Sequence, residues 1–360
     1  MKKIKIGIDG GDFNPESTIQ SGIQRLVSSF LVSIPLKQES SLTFYYYYFS
    51  KQSAHSNSKT IRYVNLPRKF FSFLFVPLKC FLDRINVYMG FSGIIPPIIR
   101  LFKKTVVFIH DFGFYHFPDY YPESEKFIWQ TNYSVFAANK IIVFSKTVRN
   151  QLLNQFPTIK PDKVITIYPG VNYVIQSKAT NERTINNPYF LYVGVIKKIK
   201  NIEKLLSLFE VFISETKILH VKLVLIGVKE QSYWEHIIKL PLFLKIQKNL
   251  IFLEHVSDKD LVFYYKHCIA LLNTSLVEGF CYPVVEALSL GKKVITNDLP
   301  LYLEFKPYFE GLRITKSDND FLLAMKEEFR KKKTVYSVKQ NSFNWSKFSS
   351  KLLTVVKNIS

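Results

Sequence analysis

Along the whole chain, short runs of apolar and β-branched residues alternate with longer stretches whose apolar positions recur at helical spacing. The short runs read as strands and the longer stretches as helices. In the first half the pattern predicts strands over residues 4–8, 42–49, 87–89, 105–109, 141–144 and 164–167, with helices over 22–33, 123–138 and 146–156. The second half repeats the cycle more cleanly. Strands are predicted over 189–193, 221–226, 250–253, 269–273 and 293–296, and helices over 201–214, 230–240, 258–267 and 283–290. Residues 345–359 read as an amphipathic helix. Strand and helix in regular turn predict an α/β protein with parallel sheets, because a parallel neighbour is reached only through a crossover. The polar, aperiodic stretch 173–188 reads as a linker, which divides the chain into a domain over 1–175, a second over 186–340 and a C-terminal helix over 341–360.

Length agrees: 360 residues exceed what one core ordinarily organises, and 47% apolar residues are enough for two. Cys80, Cys268 and Cys281 are scattered and odd in number, which fits a reducing compartment and no structural zinc. The start, MKKIKIGIDGG, reads as a first strand rather than a secretory signal, since Asp9 and the glycines interrupt the apolar run. No apolar run reaches the roughly 18–20 residues of a spanning helix. The expectation is a cytoplasmic protein, soluble or peripheral on the inner face of the plasma membrane. The formal charge is +21, with 21 basic against 10 acidic residues up to position 175 and 28 against 18 after it. An excess spread over both halves implies an anionic partner, or a generally basic surface. Nucleic acid is the alternative of another class, but no zinc, RRM or KH motif supports it.

The stretch most informative about chemistry is LLNTSLVEGFCYPVVEALSLGKKVIT, residues 271–296. A strand is expected to end near Asn273, and Glu278, Gly279 and Phe280 follow in a loop. Pro283 suits the first position of a helix and Gly291 its stop. Glu278 is thereby placed just before a helix N-terminus and Glu286 in its first turn. The N–H groups and dipole of such a terminus suit a pyrophosphate, and Gly279 lets a ligand approach the backbone closely. Two carboxylates beside an anion repel it unless they bind hydroxyls, so sugar and ribose hydroxyls are the natural partners. An ordinary strand–loop–helix with two solvated glutamates has the same spacing. His110, followed by Asp111 at a predicted strand end, is a further candidate, because open α/β sheets bind ligands at that edge. A capped structural histidine is its alternative.

The whole string Glu278-Gly279-Phe280-x-x-Pro283-x-x-Glu286-Ala287, followed by Gly291 and a strand, resembles the signature of retaining glycosyltransferase family 4. Other segments resemble that family in order: SGIQRLV (21–27), VFIHDFGFYHFP (107–118), IIVFSKTVRNQLL (141–153), IYPGVN (167–172), FLYVGVIKKIKN (190–201), LVLIG (223–227) and FLEHVSDKDL (252–261). The resemblance implies the GT-B fold: two Rossmann-like domains facing a cleft, an acceptor-side domain first, a nucleotide-sugar domain second, and a C-terminal helix crossing back to the first. It implies catalytic roles for His110, Lys200 and Glu278, with Glu278 on donor-sugar hydroxyls and Lys200 neutralising the leaving pyrophosphate. Donor binding is implied for Gly22, Gly194, Lys198, Asn201, Ser275, Gly279, Phe280, Cys281, Tyr282 and Glu286, the last on the ribose. The loop from Gly10 to Gly22 is expected to close over phosphate and acceptor.

The activity implied is transfer of a hexose, mannose-like, from a GDP- or UDP-linked donor with retention and without a metal or other cofactor. The acceptor class implied is a saccharide or polyprenyl-diphosphate-linked saccharide in surface polysaccharide synthesis (O-antigen, capsule or exopolysaccharide). Three positions depart from the family pattern. Ile199 stands where an arginine is usual, with Lys197 or Lys198 available as substitute point charges; Cys281 replaces a glycine; Tyr282 replaces an aliphatic residue. A non-catalytic nucleotide-binding scaffold is the alternative these raise.

Residues 59–104 carry nine basic residues and one acidic residue, Asp83, around PRKFFSFLFVPLKCFL (67–82). That composition reads as an interfacial segment meeting an anionic membrane surface, or as a buried helix with a basic rim. Pro77 argues against one uninterrupted helix. A second basic run, 330–333, reads as a solvated helix end.

Overall fold

The computed structural model describes residues 3–11, 22–34, 41–49, 58, 60–171, 185–331, 335–338 and 343–360. Ser21, the loop over 12–21, the linker over 173–184, Lys59, Lys332 and Lys333 lie outside the described residues. Two compact units emerge: Met1–Gly170 with Ser342–Ser360, and Val171–Asn341.

In the first unit, β1 (Ile4–Gly11), β2 (Leu42–Tyr48), β3 (Ile61–Asn65), β4 (Val87–Gly90), β5 (Lys104–Ile109), β6 (Lys140–Val143) and β7 (Val164–Thr166) form one sheet in the order β3-β2-β1-β4-β5-β6-β7. Every pairing is parallel. The tyrosine run explains itself as a strand buried on both faces. Tyr45 and Tyr47 stack on one face at 6.5 Å, and Tyr46 and Tyr48 lie together on the other at 6.2 Å. The first pair joins Phe71, Val76 and Cys80 in one cluster, so β2 anchors the segment that follows β3. The C-terminal helix Trp345–Ile359 belongs to this unit: Phe348 meets Phe30 of the helix Gly22–Ser33 edge to face at 6.1 Å.

In the second unit, β8 (Tyr189–Val193), β9 (Lys222–Ile226), β10 (Leu250–Leu253), β11 (Leu271–Asn273), β12 (Val294–Asn297) and β13 (Leu312–Thr315) form a parallel sheet in the order β10-β9-β8-β11-β12-β13. Its core gathers the buried face of the helix Ile202–Thr216 with Met325 and Phe321 of the helix Asp318–Arg330. The expected helix over 230–240 ends at Ile237, and a separate helix, Pro241–Ile246, follows, because the residue before a proline is pushed out of helical backbone. Leu240 accordingly sits at ψ 133°. The strands β3 and β13 escape the hydrophobic pattern, since Arg62 and Asn65 in the one and Arg313 in the other interrupt their apolar runs. Among the described residues no helix is long and apolar enough to cross a membrane.

The winding direction of each sheet reverses once, between β1 and β4 and between β8 and β11. At such a point the loops leaving the two strands diverge and open a crevice at their C-terminal ends. In the second unit the crevice is shaped by two glycines in backbone that side chains rarely adopt. Gly194 has φ 147° and Gly227 φ 146°, and a Cβ on Gly227 would stand 2.1 Å from the Gly194 carbonyl oxygen. Gly22, at the first position of its helix, has nothing within 4 Å of a built Cβ. Gly227→Ala should therefore destabilise the protein by more than about 2 kcal/mol, lowering the thermal midpoint by several degrees, whereas Gly22→Ala should leave it unchanged or slightly raised. Equal midpoints for the two variants in calorimetry would refute this account of the crevice.

Candidate active site

At the end of β8 the chain passes Gly194 and makes one 3₁₀ turn, Lys198–Lys200, before the helix Ile202–Thr216. Asn201 joins the two with φ 54°, a left-handed conformation that asparagine tolerates. At the end of β11, Asn273, Thr274 and Ser275 are buried, and the loop continues through Glu278 to the helix Tyr282–Ser289. Backbone and hydroxyl hydrogen bonds tie these two loops together. The Leu276 N–H donates to the Ile199 carbonyl at 3.0 Å. The Thr274 hydroxyl sits 3.2 Å from the Lys200 carbonyl and 3.0 Å from that of Asn201, a donor shared between both.

That lacing brings Lys200 and Glu278, 78 residues apart, to 2.5 Å between Nζ and Oε1. The side chains keep only 20% and 10% of their exposure, so the charges meet with little water between them. Burial by itself pushes the Glu278 carboxyl up. The Lys200 charge and hydrogen bond, with contributions from Ser275 and Cys281, outweigh burial and hold it below the usual carboxylate range. Ile199, the residue in the usual place of an arginine, points into the core and is buried; Lys198 is exposed.

Cys281 occupies a position whose backbone, φ 56° and ψ 71°, favours glycine. Its thiol is buried and accepts from the Asn273 side-chain amide at 3.5 Å. Burial, with the nearby Glu278 charge, pushes the thiol well above its ordinary range, so it is neutral and unreactive at neutral pH. Below it the Tyr302 hydroxyl donates to Asn273 Oδ1 at 2.6 Å, and the Asn297 amide donates to the Ser275 carbonyl at 2.8 Å. Phe280 and Gly279 are buried beside them, and Tyr282 meets the Phe280 ring at 5.1 Å.

Glu286 differs from its expected place. Cys281 turns the chain into the helix one residue early, so Glu286 lies in the second turn and not the first. Its carboxylate is fully buried, and the Tyr265 hydroxyl, from the helix Asp258–His267, donates to Oε2 at 2.7 Å. Tyr265, Thr274, Tyr302 and Asn297 carry no local sequence signal; only the packing of distant helices and strands delivers them.

His110 and Gly22 belong to the first unit. His110 follows β5, and its Nε2 lies 2.7 Å from the Phe91 carbonyl oxygen. A carbonyl only accepts, so Nε2 carries the proton and Nδ1 of the neutral ring is an acceptor. Burial lowers the imidazole pKa against the opposing pull of the Phe91 carbonyl and Asp111, which keeps the ring neutral at pH 7. Asp111 accepts from the Gly113 N–H at 2.8 Å and so caps the turn that follows. Nearby in sequence to the other switch point, Asp9 is buried at the end of β1, with Oδ2 accepting from Ser92 at 2.8 Å and Oδ1 from the Gly11 N–H at 3.0 Å.

Two Asp-x-Asp triplets, 258–260 and 318–320, open helices, where the Asp260 and Asp320 N–H groups donate to the capping Ser257 and Ser317 hydroxyl oxygens and Asp320 pairs with Arg313 at 2.7 Å. Among the described residues no three His, Cys, Asp or Glu side chains are gathered to hold a metal ion.

The Lys200–Glu278 pair has a direct consequence for stability. A carboxyl whose folded pKa is depressed stabilises the fold above its unfolded value, and that contribution is lost as pH falls through the folded value. Glu278→Gln should abolish this part of the acid dependence. At neutral pH it should cost about 3 kcal/mol, because Lys200 is left as an uncompensated, largely buried charge. Lys200→Met combined with Glu278→Gln should cost clearly less than the two single losses together. Strict additivity in denaturant melts would show that the charges act separately.

Residues 175–350 match the family described as Glycosyl transferases group 1. The chain is similar to the O-antigen chain mannosyltransferase RfbU of Salmonella typhimurium, 27% identical over 207 residues, which are 57% of this chain and 55% of the relative. It is also similar to O-antigen chain mannosyltransferase B of Escherichia coli, 24% identical over 212 residues, 55% of this chain and 54% of the relative. The match thus spans about half the length of these relatives. Among solved structures, sucrose-phosphate synthase from Thermosynechococcus elongatus superposes with a TM-score of 0.75 at 14% identity, covering 99% of both chains. WaaG, a glycosyltransferase involved in lipopolysaccharide biosynthesis, gives 0.67 at 12% identity over 98% of this chain and 95% of its own. At such identity these structures speak to the fold. The matched residues contain both laced loops and the whole second sheet, so this part of the chain carries a glycosyl transferases group 1 domain, on a GT-B fold.

Proposed function

We propose that this chain is a glycosyltransferase that moves a hexose, mannose first, from a nucleotide-diphosphate donor to a saccharide or lipid-linked saccharide acceptor in surface polysaccharide synthesis. One observation carries the reading: a buried lysine–glutamate pair stands at the switch point of a parallel sheet, beside a helix N-terminus. The pair compensates both charges. A diphosphate brings its own negative charge to Lys200 and frees the Glu278 oxygens to accept from donor-sugar hydroxyls. Lys200 then stabilises the charge that develops on the leaving diphosphate, in a site poor in water. The helix N-terminus and Gly279 backbone add anion-binding dipoles. Glu286, oriented through Tyr265, is assigned to the ribose. Retention and independence of metal belong to the proposal, as do acceptor-side roles for His110 and Gly22. The mannosyltransferase names of the similar O-antigen proteins support mannose as the sugar moved, from a GDP- or UDP-linked donor.

The membrane belongs to this proposal too. The segment after β3 is a π-helical turn, Phe71–Phe75, running into the helix Val76–Leu82, with Pro77 near its start. The two faces of this segment differ. Phe71, Val76, Pro77 and Cys80 are buried in the core, while Phe70, Phe73, Leu74, Leu78, Phe81 and Leu82 are each about half exposed or more. The Phe81 ring meets Phe102 at 6.1 Å, which joins the helix Pro97–Phe102 and its exposed Leu101 to the same face. An exposed apolar face of this extent marks an interaction surface. Arg68, Lys69, Arg84 and Arg100 flank it in sequence and are exposed, which matches an anionic bilayer surface on the inner leaflet.

Two measurements test these readings. In a thermal-shift panel, GDP or UDP at about a hundred times its dissociation constant should stabilise the protein by about 2.7 kcal/mol, and Lys200→Ala should lower turnover by about a hundredfold or more with the fold intact. No stabilisation by any nucleoside diphosphate would remove the donor site. Replacing Arg68, Lys69 and Lys79 by Gln should release the folded protein from phosphatidylglycerol vesicles, each charge contributing about 1 kcal/mol. Salt should weaken wild-type binding in the same direction. Undiminished sedimentation of the folded triple variant with those vesicles would overturn the membrane reading.

A further inference from the structure

The exposed apolar face does not end as a flat surface. A cavity of about 420 Å³ adjoins it in the first unit, with walls that include Phe71, Ile95, Phe127 and Trp129. Phe70 and Phe73 line the cavity as well, and they remain 59% and 55% exposed. The same side chains therefore serve as cavity wall and as outer face, which makes the two continuous. The volume lies within the range of about 300–1,000 Å³ that small-molecule sites occupy.

The chemistry of the walls narrows the occupant. They are mainly aromatic and aliphatic, with Ser72, Gln130 and Tyr133 as uncharged polar members, and the charged residues among them, Arg68 and Lys126, are both cations. The Arg68 guanidinium lies over the Phe49 ring, 5.6 Å from its centre. A guanidinium carries five N–H donors in a fork that suits a phosphate, and a cation–π contact consumes none of them. Lys126 is exposed and pairs at the surface with Glu123, a contact that contributes little and can be exchanged for another anion. Three uncharged polar side chains cannot serve all the hydroxyls of a sugar, most of which would lie against phenyl rings, and a plain hydrocarbon would make no use of the cations. An amphiphile with one chain and an anionic head satisfies both.

We propose that this cavity takes the hydrocarbon chain of a single phosphate-headed lipid, with the head at Arg68 and Lys126. The proposal rests on the membrane reading for where the lipid comes from, and on the cavity alone for the binding. Two sources share this chemistry: a bilayer phospholipid, and the prenyl carrier of a lipid-linked saccharide.

Trp129, a cavity wall and 56% exposed, supplies the readout. A monomeric ω-bromoalkyl phosphate, titrated into the full chain, should quench tryptophan emission saturably, and Trp129→Phe should remove that component. Ser72→Phe, which fills the cavity from its wall, should weaken the apparent affinity about tenfold or more while the melting temperature and vesicle binding stay as in the wild type. Should Ser72→Phe fail to fold, Ile94→Phe fills the same space from the opposite segment. Inorganic phosphate alone should not displace the probe. Displacement at lower concentration by farnesyl phosphate points to the prenyl carrier, and by short-chain phosphatidylglycerol to the bilayer. Displacement by neither overturns the proposal, as does quenching that rises linearly or is untouched in both folded cavity-filling variants. Saturable quenching with no vesicle binding sinks the membrane reading and keeps the cavity; vesicle binding without saturable quenching does the reverse.

Discussion

A parallel strand can reach its neighbour only by a crossover that packs on one face of the sheet. Both sheets of this protein obey that constraint at every pairing, and most of its other features follow from it. Crossovers cover both faces, so the central strands must be apolar throughout, down to a run of four tyrosines in β2. All strands point one way, so every strand-to-helix loop gathers at one edge. The single reversal of winding in each sheet then opens a crevice between two of those loops.

What the second unit does with its crevice depends on a few hydrogen bonds. Thr274 and Leu276 bind the backbone of the neighbouring loop, and so the approach of Lys200 to Glu278 is set by main chain rather than by two long side chains searching for each other. A pair assembled in this way loses little side-chain entropy when it forms. It also holds a positive charge where a diphosphate can compete for it. Cys281 shows the same economy. A left-handed turn is needed to start the helix at Tyr282, and the thiol that stands there is buried against Asn273, where burial leaves it neutral.

In the first unit the segment over 67–82 has one face in the core and one exposed apolar face. Aromatic residues of β2 hold Phe71, Val76 and Cys80 from inside, and that leaves the alternate side chains no core to enter. Their exposure is thus a consequence of register on a short helix. The adjoining cavity turns a flat apolar face into one with depth.

The sequence by itself determined the alternation of strands and helices and the place of Glu278 before a helix. These are set by period, by Pro283 and by turn residues, all of which act over a few neighbours. Gly22–Ser33, Tyr189–Val193 and Asp258–His267 have the bounds that the pattern predicts. Only the tertiary structure decided that Lys200 pairs with Glu278, that Tyr265 covers Glu286, that Tyr302 holds Asn273, and that His110 carries its proton on Nε2. The partners in each case lie about 20 to 80 residues apart or meet through backbone carbonyls. Composition also left undecided which aromatics of 67–82 face the core, because a side chain's direction on a short, proline-broken helix is settled by what it packs against, and β2 is supplied by a different part of the chain.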